Sequence, residues 1–301
     1  MQLSYKTLFR TRSGVEYLSI RNATENCLCL QGGRSCFARI RKAYHSAEVF
    51  SPLAPADFPA PLSLYKNQNT ATALFENIDG GMLEDFLGCV SKAQQYAAGQ
   101  RAGRLLHTMH EAELSAPELE HARKRQERFM YRLAEYLQSG RFDNDNFAID
   151  ALGQRHDHFN LWRAVMRTGS FRHDRIMVRP DGGIIFLPGE NYGPGDLCED
   201  FALLEIITAG EWPLFCAGAI DAYFSFRIPA DFWLHFAMHC ALQSLWRLSR
   251  MAGKDRRRFA MMQLQSDRVR KDFENFKKPI PAWYLADEVN ATRKQVRARG
   301  M

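Results

Sequence analysis

The segment RIMVRPDGGIIFL, residues 175–187, constrains the fold more than any other part of the chain. It reads as two short apolar strands joined at Asp181-Gly182-Gly183, a composition that supplies the positive φ angles a tight hairpin needs. The stretches around it carry apolar residues at helical spacing instead: 94–111, 117–138 and 147–167 before it, then 200–210, 215–226 and 229–251 after it. A lone hairpin among helices fits neither an all-helical chain nor a regular βα alternation. The expected class is α+β.

The N-terminal quarter has a different grain. VEYLSI, CLCLQ and SCFARIR alternate in polarity and are bounded by Asn22, Asn26 and Gly32-Gly33, so residues 15–42 read as strands with a hairpin at the glycine pair. Residues 43–51 predict a short helix containing Glu48. PLAPADFPAP, residues 52–61, is a proline-rich loop. LSLYKN and TATALFENI predict two more strands. Gly80-Gly81 ends this part and is the expected hinge, and residues 82–91 predict a short helix. The organisation expected is a β-rich lobe over residues 1–79 and a helical lobe over residues 80–301, with the hairpin embedded at about 170–188.

Composition narrows the class further. Hydrophobic residues make up 46% of the 301 positions and charged residues 25%, so the chain can bury a full core without disulfide or metal staples. The net charge of +6 is unevenly spread. Residues 247–301 hold 15 Lys and Arg against six Asp and Glu, and the remainder is slightly acidic. The basic C-terminal segment could meet an acidic partner, membrane or nucleic acid, though a solvated basic face explains it as well. Seven cysteines without a CxxC pair suggest neither a disulfide framework nor a zinc ribbon. The N-terminus lacks an apolar signal region, and no run of 18 apolar residues predicts a transmembrane segment. The expected location is cytoplasmic. His156-Asp157-His158 reads as a polar turn and His235 with His239 as core residues; no metal site is expected.

Several segments carry a family likeness. They are SCFARIRK, TATALFENIDGG, AGRLLHTMHEAEL with Gly103 and His107 or His110, and TGSFRHDRIMVRPDGGIIFLPGENYGPGDLCEDFALLE, followed by AGAIDAYFSFRIPADFW. In order and spacing, over about residues 15–245, they resemble the aminoglycoside phosphotransferase and choline kinase-like family. The resemblance implies the two-lobed protein-kinase-like fold, with a small β-rich N-lobe and a larger helical C-lobe. It implies a nucleotide or small molecule in the inter-lobe cleft, and ATP as cofactor. It places the phosphate-binding cation at Arg39 on a strand, its partner carboxylate at Glu48, and the nucleotide-side linker at Glu76 and Ile78.

The same resemblance exposes losses. Laid on the family pattern HGDxHxxNxLV ending at Val178, the catalytic Asp falls on Ser170 and the metal-binding Asn on Arg175. Counting back from Gly195-Asp196, the metal-binding Asp falls on Pro188, and Glu190 follows it. The phosphate-covering loop, expected near Arg21 to Cys27, has no glycine. Phosphoryl transfer needs a carboxylate at the attacking hydroxyl and oxygen ligands for Mg²⁺. Serine is a poor proton acceptor at neutral pH, arginine repels a cation, and proline offers no side-chain oxygen. The leading expectation is therefore a pseudokinase that binds a nucleotide or metabolite without conventional Mg²⁺-dependent transfer. The alternatives are an active small-molecule kinase with a metal site rearranged around Glu190 or Asp196, and an interaction platform built on the basic C-terminal segment. Asp221 and Glu205 are further candidates, as the lining of an acidic pocket.

Overall fold

A computed structural model describes residues 4–21, 26–76, 79–139, 141–155, 157, 160–251 and 253–298. The chain divides into two compact units. The first comprises Met1–Cys89, Leu105–Ala112 and Thr168–Gly193; the second comprises Val90–Arg104, Glu113–Arg167 and Pro194–Met301. The single boundary expected at Gly80 is thus replaced by a divided one, with the embedded hairpin grouped with the N-terminal strands. Gly80 itself lies against that hairpin, where a Cβ would meet the Val178 carbonyl oxygen at 2.5 Å.

The first unit is built on a five-stranded antiparallel sheet. Its strands are β1 (Ser4–Arg10), β2 (Glu16–Arg21), β3 (Asn26–Gly33), β4 (Pro61–Lys66) and β5 (Thr70–Phe75), in the order β1-β2-β3-β5-β4. Leu28, Leu30, Ala71, Ala73 and Phe75 are buried on it. Helix α1 (Phe37–Phe50) covers the sheet with Ile40, Ala43, Ala47 and Phe50. That spacing of three and four residues explains why SCFARIR is not the strand its local alternation suggested: the apolar period runs on to Phe50 and is helical. Gly32-Gly33 accordingly closes no hairpin, since β3 pairs with β5 from Leu28↔Phe75 to Gly33↔Thr70.

The hairpin is where the sequence put it. β6 (Gly81–Met82), which leads into the short helix α2 (Leu83–Cys89), forms a small sheet with β8 (Ile176–Val178) and β9 (Ile184–Phe186) in the order β6-β8-β9. Gly182 turns with φ +82°, and Arg179 N–H donates to Gly183 O at 2.8 Å. Arg179 also donates to Asp57 at 2.8 Å, tying the turn to the proline-rich loop.

The second unit is mainly helical. It takes the first part of α3 (Lys92–His110), then α4 (Ala116–Ser139), α5 (Asn146–Gln154), α6 (Cys198–Leu204), α7 (Pro213–Tyr223), α8 (Ala230–Met251), α9 (Arg256–Asp272), α10 (Ala282–Leu285) and α11 (Asp287–Ala298). The helix expected over 147–167 stops at Gln154; its end is instead strand β7 (Ala164–Arg167), paired with β10 (Gly193–Asp196). Val165, Met166 and Arg167 are all buried, so the run has no polar face to betray its period. α3 and α7 approach closely, because a Cβ on Gly103 would lie 2.1 Å from Ala219 O and one on Gly218 2.1 Å from Tyr96 O.

Candidate functional site

Two tight backbone contacts in the first unit bring the substituted positions together. A Cβ on Gly169 would lie 2.3 Å from Asn191 O, and one on Gly189 would lie 2.4 Å from Thr168 O and 3.0 Å from Ser170 Oγ. Leu187 N–H donates to Arg175 O at 3.1 Å. The loop bearing Ser170 and Arg175 is thereby laid on the segment bearing Pro188 and Glu190. Their side chains offer one carboxylate, one hydroxyl and one guanidinium, a poor fit to a hard divalent cation held by several carboxylate and amide oxygens.

Arg175 is already engaged. Its Nη1 donates to Asp174 O at 2.6 Å and to Asp174 Oδ2 at 3.1 Å. Arg172 binds both oxygens of the same carboxylate. Burial would raise the Asp174 pKa, but Arg172 and then Arg175 bring it below the usual range. Burial, reinforced by Arg172, lowers that of Arg175. The Arg175 guanidinium lies 3.8 Å from the centre of the Phe9 ring, a close cation–π contact. Phe9 stacks on Tyr17 at 4.3 Å, and Tyr17 O–H donates to Pro188 O at 2.7 Å. At the turn between β1 and β2, Ser13 Oγ–H donates to Glu190 Oε2 at 2.5 Å. Cys36 Sγ–H holds the same turn through Ser13 O at 3.2 Å. The other Glu190 oxygen, Oε1, is buried with no hydrogen-bond partner among the described residues.

The β1–β2 hairpin therefore lies directly on the segments that carry Arg175, Pro188 and Glu190, filling the space above them with Phe9, Tyr17 and Ser13. The covering turn is Thr11 to Val15; of the stretch expected to cover the site, residues 22–25 lie outside the described residues. The sequence reading began its strands at residue 15 and so left out Phe9 and Ser13; Tyr17 fell within a strand that was read, but nothing local tied it to the site.

The other candidates are placed elsewhere. Arg39 is exposed on helix α1 rather than on a strand. Glu48 is nine residues further along the same helix, about 13 Å at 1.5 Å per residue, and bonds His45 instead of Arg39. Strand β3, which precedes that helix, has no Lys or Arg. Glu76 is exposed just past β5, its N–H donating to Ala60 O at 2.8 Å. Ile78 lies outside the described residues.

Asp221 and Glu205, in the second unit, are buried and taken by the chain's own donors. Asp221 accepts from Tyr96 O–H at 2.5 Å, from Tyr284 O–H and from Arg293 Nε–H at 2.6 Å. Glu205, on a π-helical turn after α6, accepts from Arg268 at 2.8 Å and Trp283 Nε1–H at 2.7 Å. Burial pushes its pKa up to about 7; Arg268 opposes this and Asp272 adds to it. The folded protein then holds a proton that the unfolded chain releases near the ordinary glutamate value of about 4.5. Unfolding free energy should therefore fall as pH rises from about 4.5 to about 7, by on the order of 3 kcal/mol at most. Urea titrations across that window should show the loss, and Glu205→Gln should flatten it.

No family model matches the sequence, and no curated protein matches it. Solved structures do. An aminoglycoside phosphotransferase APH(4)-Ia thermostable mutant, crystallised with AMP-PNP and hygromycin B, matches at a TM-score of 0.67 and 12% identity, over 89% of this chain and 93% of that one. Ethanolamine kinase from Plasmodium vivax matches at 0.57 and 12%, over 89% and 82%. Spectinomycin phosphotransferase APH(9)-Ia, with ADP and spectinomycin, matches at 0.56 and 8%, over 97% and 93%. At these identities the likeness shows the fold: α+β and protein-kinase-like, as in aminoglycoside phosphotransferases and choline kinase-like enzymes.

Proposed function

We propose that this protein is a degenerate phosphotransferase, a pseudokinase that keeps the fold and does not carry out Mg²⁺-dependent phosphoryl transfer. One observation carries the reading. The hairpin side chains Phe9, Tyr17 and Ser13 lie on Arg175 and Pro188, which the family resemblance lays on metal-binding positions, and on Glu190 beside them. Ser170, Arg175 and Pro188 offer no side-chain carboxylate of their own, and Arg175 shares the Asp174 carboxylate with Arg172. A nucleotide or small metabolite bound here is held by packing and hydrogen bonds, without a metal bridge.

A second reading, an active kinase with a rearranged metal site, is favoured by the buried unpartnered Oε1 of Glu190, an oxygen with coordination capacity to spare. One assay separates the two. With Mg²⁺, ATP and a panel of small hydroxylated and cationic acceptors, the pseudokinase reading predicts ADP release at the no-enzyme background. Acceptor-dependent ADP release that is lost in Glu190→Gln would establish the second reading instead.

A further inference from the structure

We propose that the outward face of α9 docks on an anionic phospholipid surface. This does not depend on whether the kinase-like site is active. Seven residues of α9 are exposed and none of them is acidic. Its only two carboxylates are occupied, Asp267 with Arg270 at 3.5 Å and Asp272 with Arg268. Arg257, Met261 and Leu264 follow one another at helical spacing on the exposed side, and Lys271 extends that side about 21 Å from Arg257 at 1.5 Å per residue. Lys254 and Arg256 stand exposed beside its start.

Two features of this face ask for a partner. Leu264 is 72% exposed and Met261 47%, large apolar side chains set among cations. The first turn of α9 carries Arg256, Arg257 and Arg258; the N-cap Asp255 accepts from Arg258 N–H at 3.0 Å and pairs with the Arg258 side chain at 3.2 Å, so Arg256 and Arg257 are the cations that the helix dipole still disfavours there. An anionic surface offsets that remaining cost. A polyphosphate such as nucleic acid would satisfy the arginines yet leave Leu264 and Met261 in water. A bilayer with acidic headgroups takes both, the apolar side chains entering the acyl boundary and the cations meeting the headgroups. The docking is peripheral: among the described residues no helix is long and apolar enough to cross a membrane.

The test is co-sedimentation of the full-length protein with vesicles of phosphatidylcholine containing about 30% phosphatidylserine, beside pure phosphatidylcholine vesicles and a duplex DNA retention arm. The expected result is sedimentation with the acidic vesicles only, reversed by about 0.5 M salt. Met261→Ser/Leu264→Ser and Arg257→Ser/Lys271→Ser should each reduce the bound fraction at least about tenfold, with unchanged melting temperatures because the positions are exposed. No sedimentation with acidic vesicles would overturn the proposal. So would sedimentation that either double variant leaves intact, or retention by DNA without retention by vesicles.

Discussion

Glu199→Ala is expected to cost about 3–5 kcal/mol of unfolding free energy, a large share of the roughly 5–15 kcal/mol that holds a domain folded. Glu199 is buried on α6 between two arginines. Arg125 binds it through Nε at 2.8 Å and Nη2 at 2.7 Å, and Arg167 on β7 approaches at 3.4 Å. Burial alone would raise the carboxyl pKa, but Arg167 and Arg125 bring it down to about 2. Removing the carboxylate strands a buried guanidinium at Arg167, and an unpaired buried charge is the most expensive outcome available. Urea unfolding followed by circular dichroism should show a midpoint shift of that size. The pH dependence has a definite sign. Because the folded pKa lies below the unfolded one, the stabilisation is complete above about 4.5 and lost as pH falls towards about 2. The gap between wild type and variant should narrow over that window. Arg167→Met/Glu199→Leu, which removes both charges, should be more stable than Glu199→Ala.

A comparable loss, about 3 kcal/mol or more, is expected from Arg293→Ala. Arg293 on α11 donates to both oxygens of Asp221, at 2.6 and 3.4 Å, and its guanidinium lies 4.1 Å from the Tyr284 ring centre. Burial, with Asp221 beside them, keeps the phenols of Tyr96 and Tyr284 protonated as donors. Those two neutral donors remain in the variant, but no cation offsets the Asp221 charge. Hydrogen exchange should locate the damage: amides of α10 and α11 should open well before those of α8. Uniform loosening of the whole second unit would mean that Arg293 acts through packing alone.

How far these features were legible in the sequence depended on the range of the interactions behind them. The hairpin at residues 176–186 was readable because Asp181-Gly182-Gly183 encodes its own turn. α4 and α8 were readable because a long helix averages its period over many residues. α1 was misread where the window was short, since SCFARIR alternates locally while the deciding apolar positions run on to Phe50. β7 was misread because both its faces are buried and strand and helix then look alike. Ser170, Arg175 and Pro188 were singled out only by laying the family pattern on the chain, and the segments that carry them lie against one another in the first unit. Arg39 was misplaced with the strand expected to carry it; Glu48 lies on a helix as expected, but on the same helix as Arg39 and bonded to His45. Phe9, Tyr17 and Ser13 could not be read as part of the site, because their contacts with Arg175, Pro188 and Glu190 join residues more than 160 positions apart.

The proposed occlusion of the metal and phosphate positions is tested most directly by calorimetric titration of ATP in Mg²⁺ and again in EDTA. With Arg175 paired to Asp174, Pro188 offering no side-chain oxygen and the β1–β2 hairpin seated above both, the two titrations should agree, whether each shows weak binding or none. Binding at least about tenfold tighter in Mg²⁺, abolished by Glu190→Gln, would contradict this account and place a working metal site beneath the hairpin.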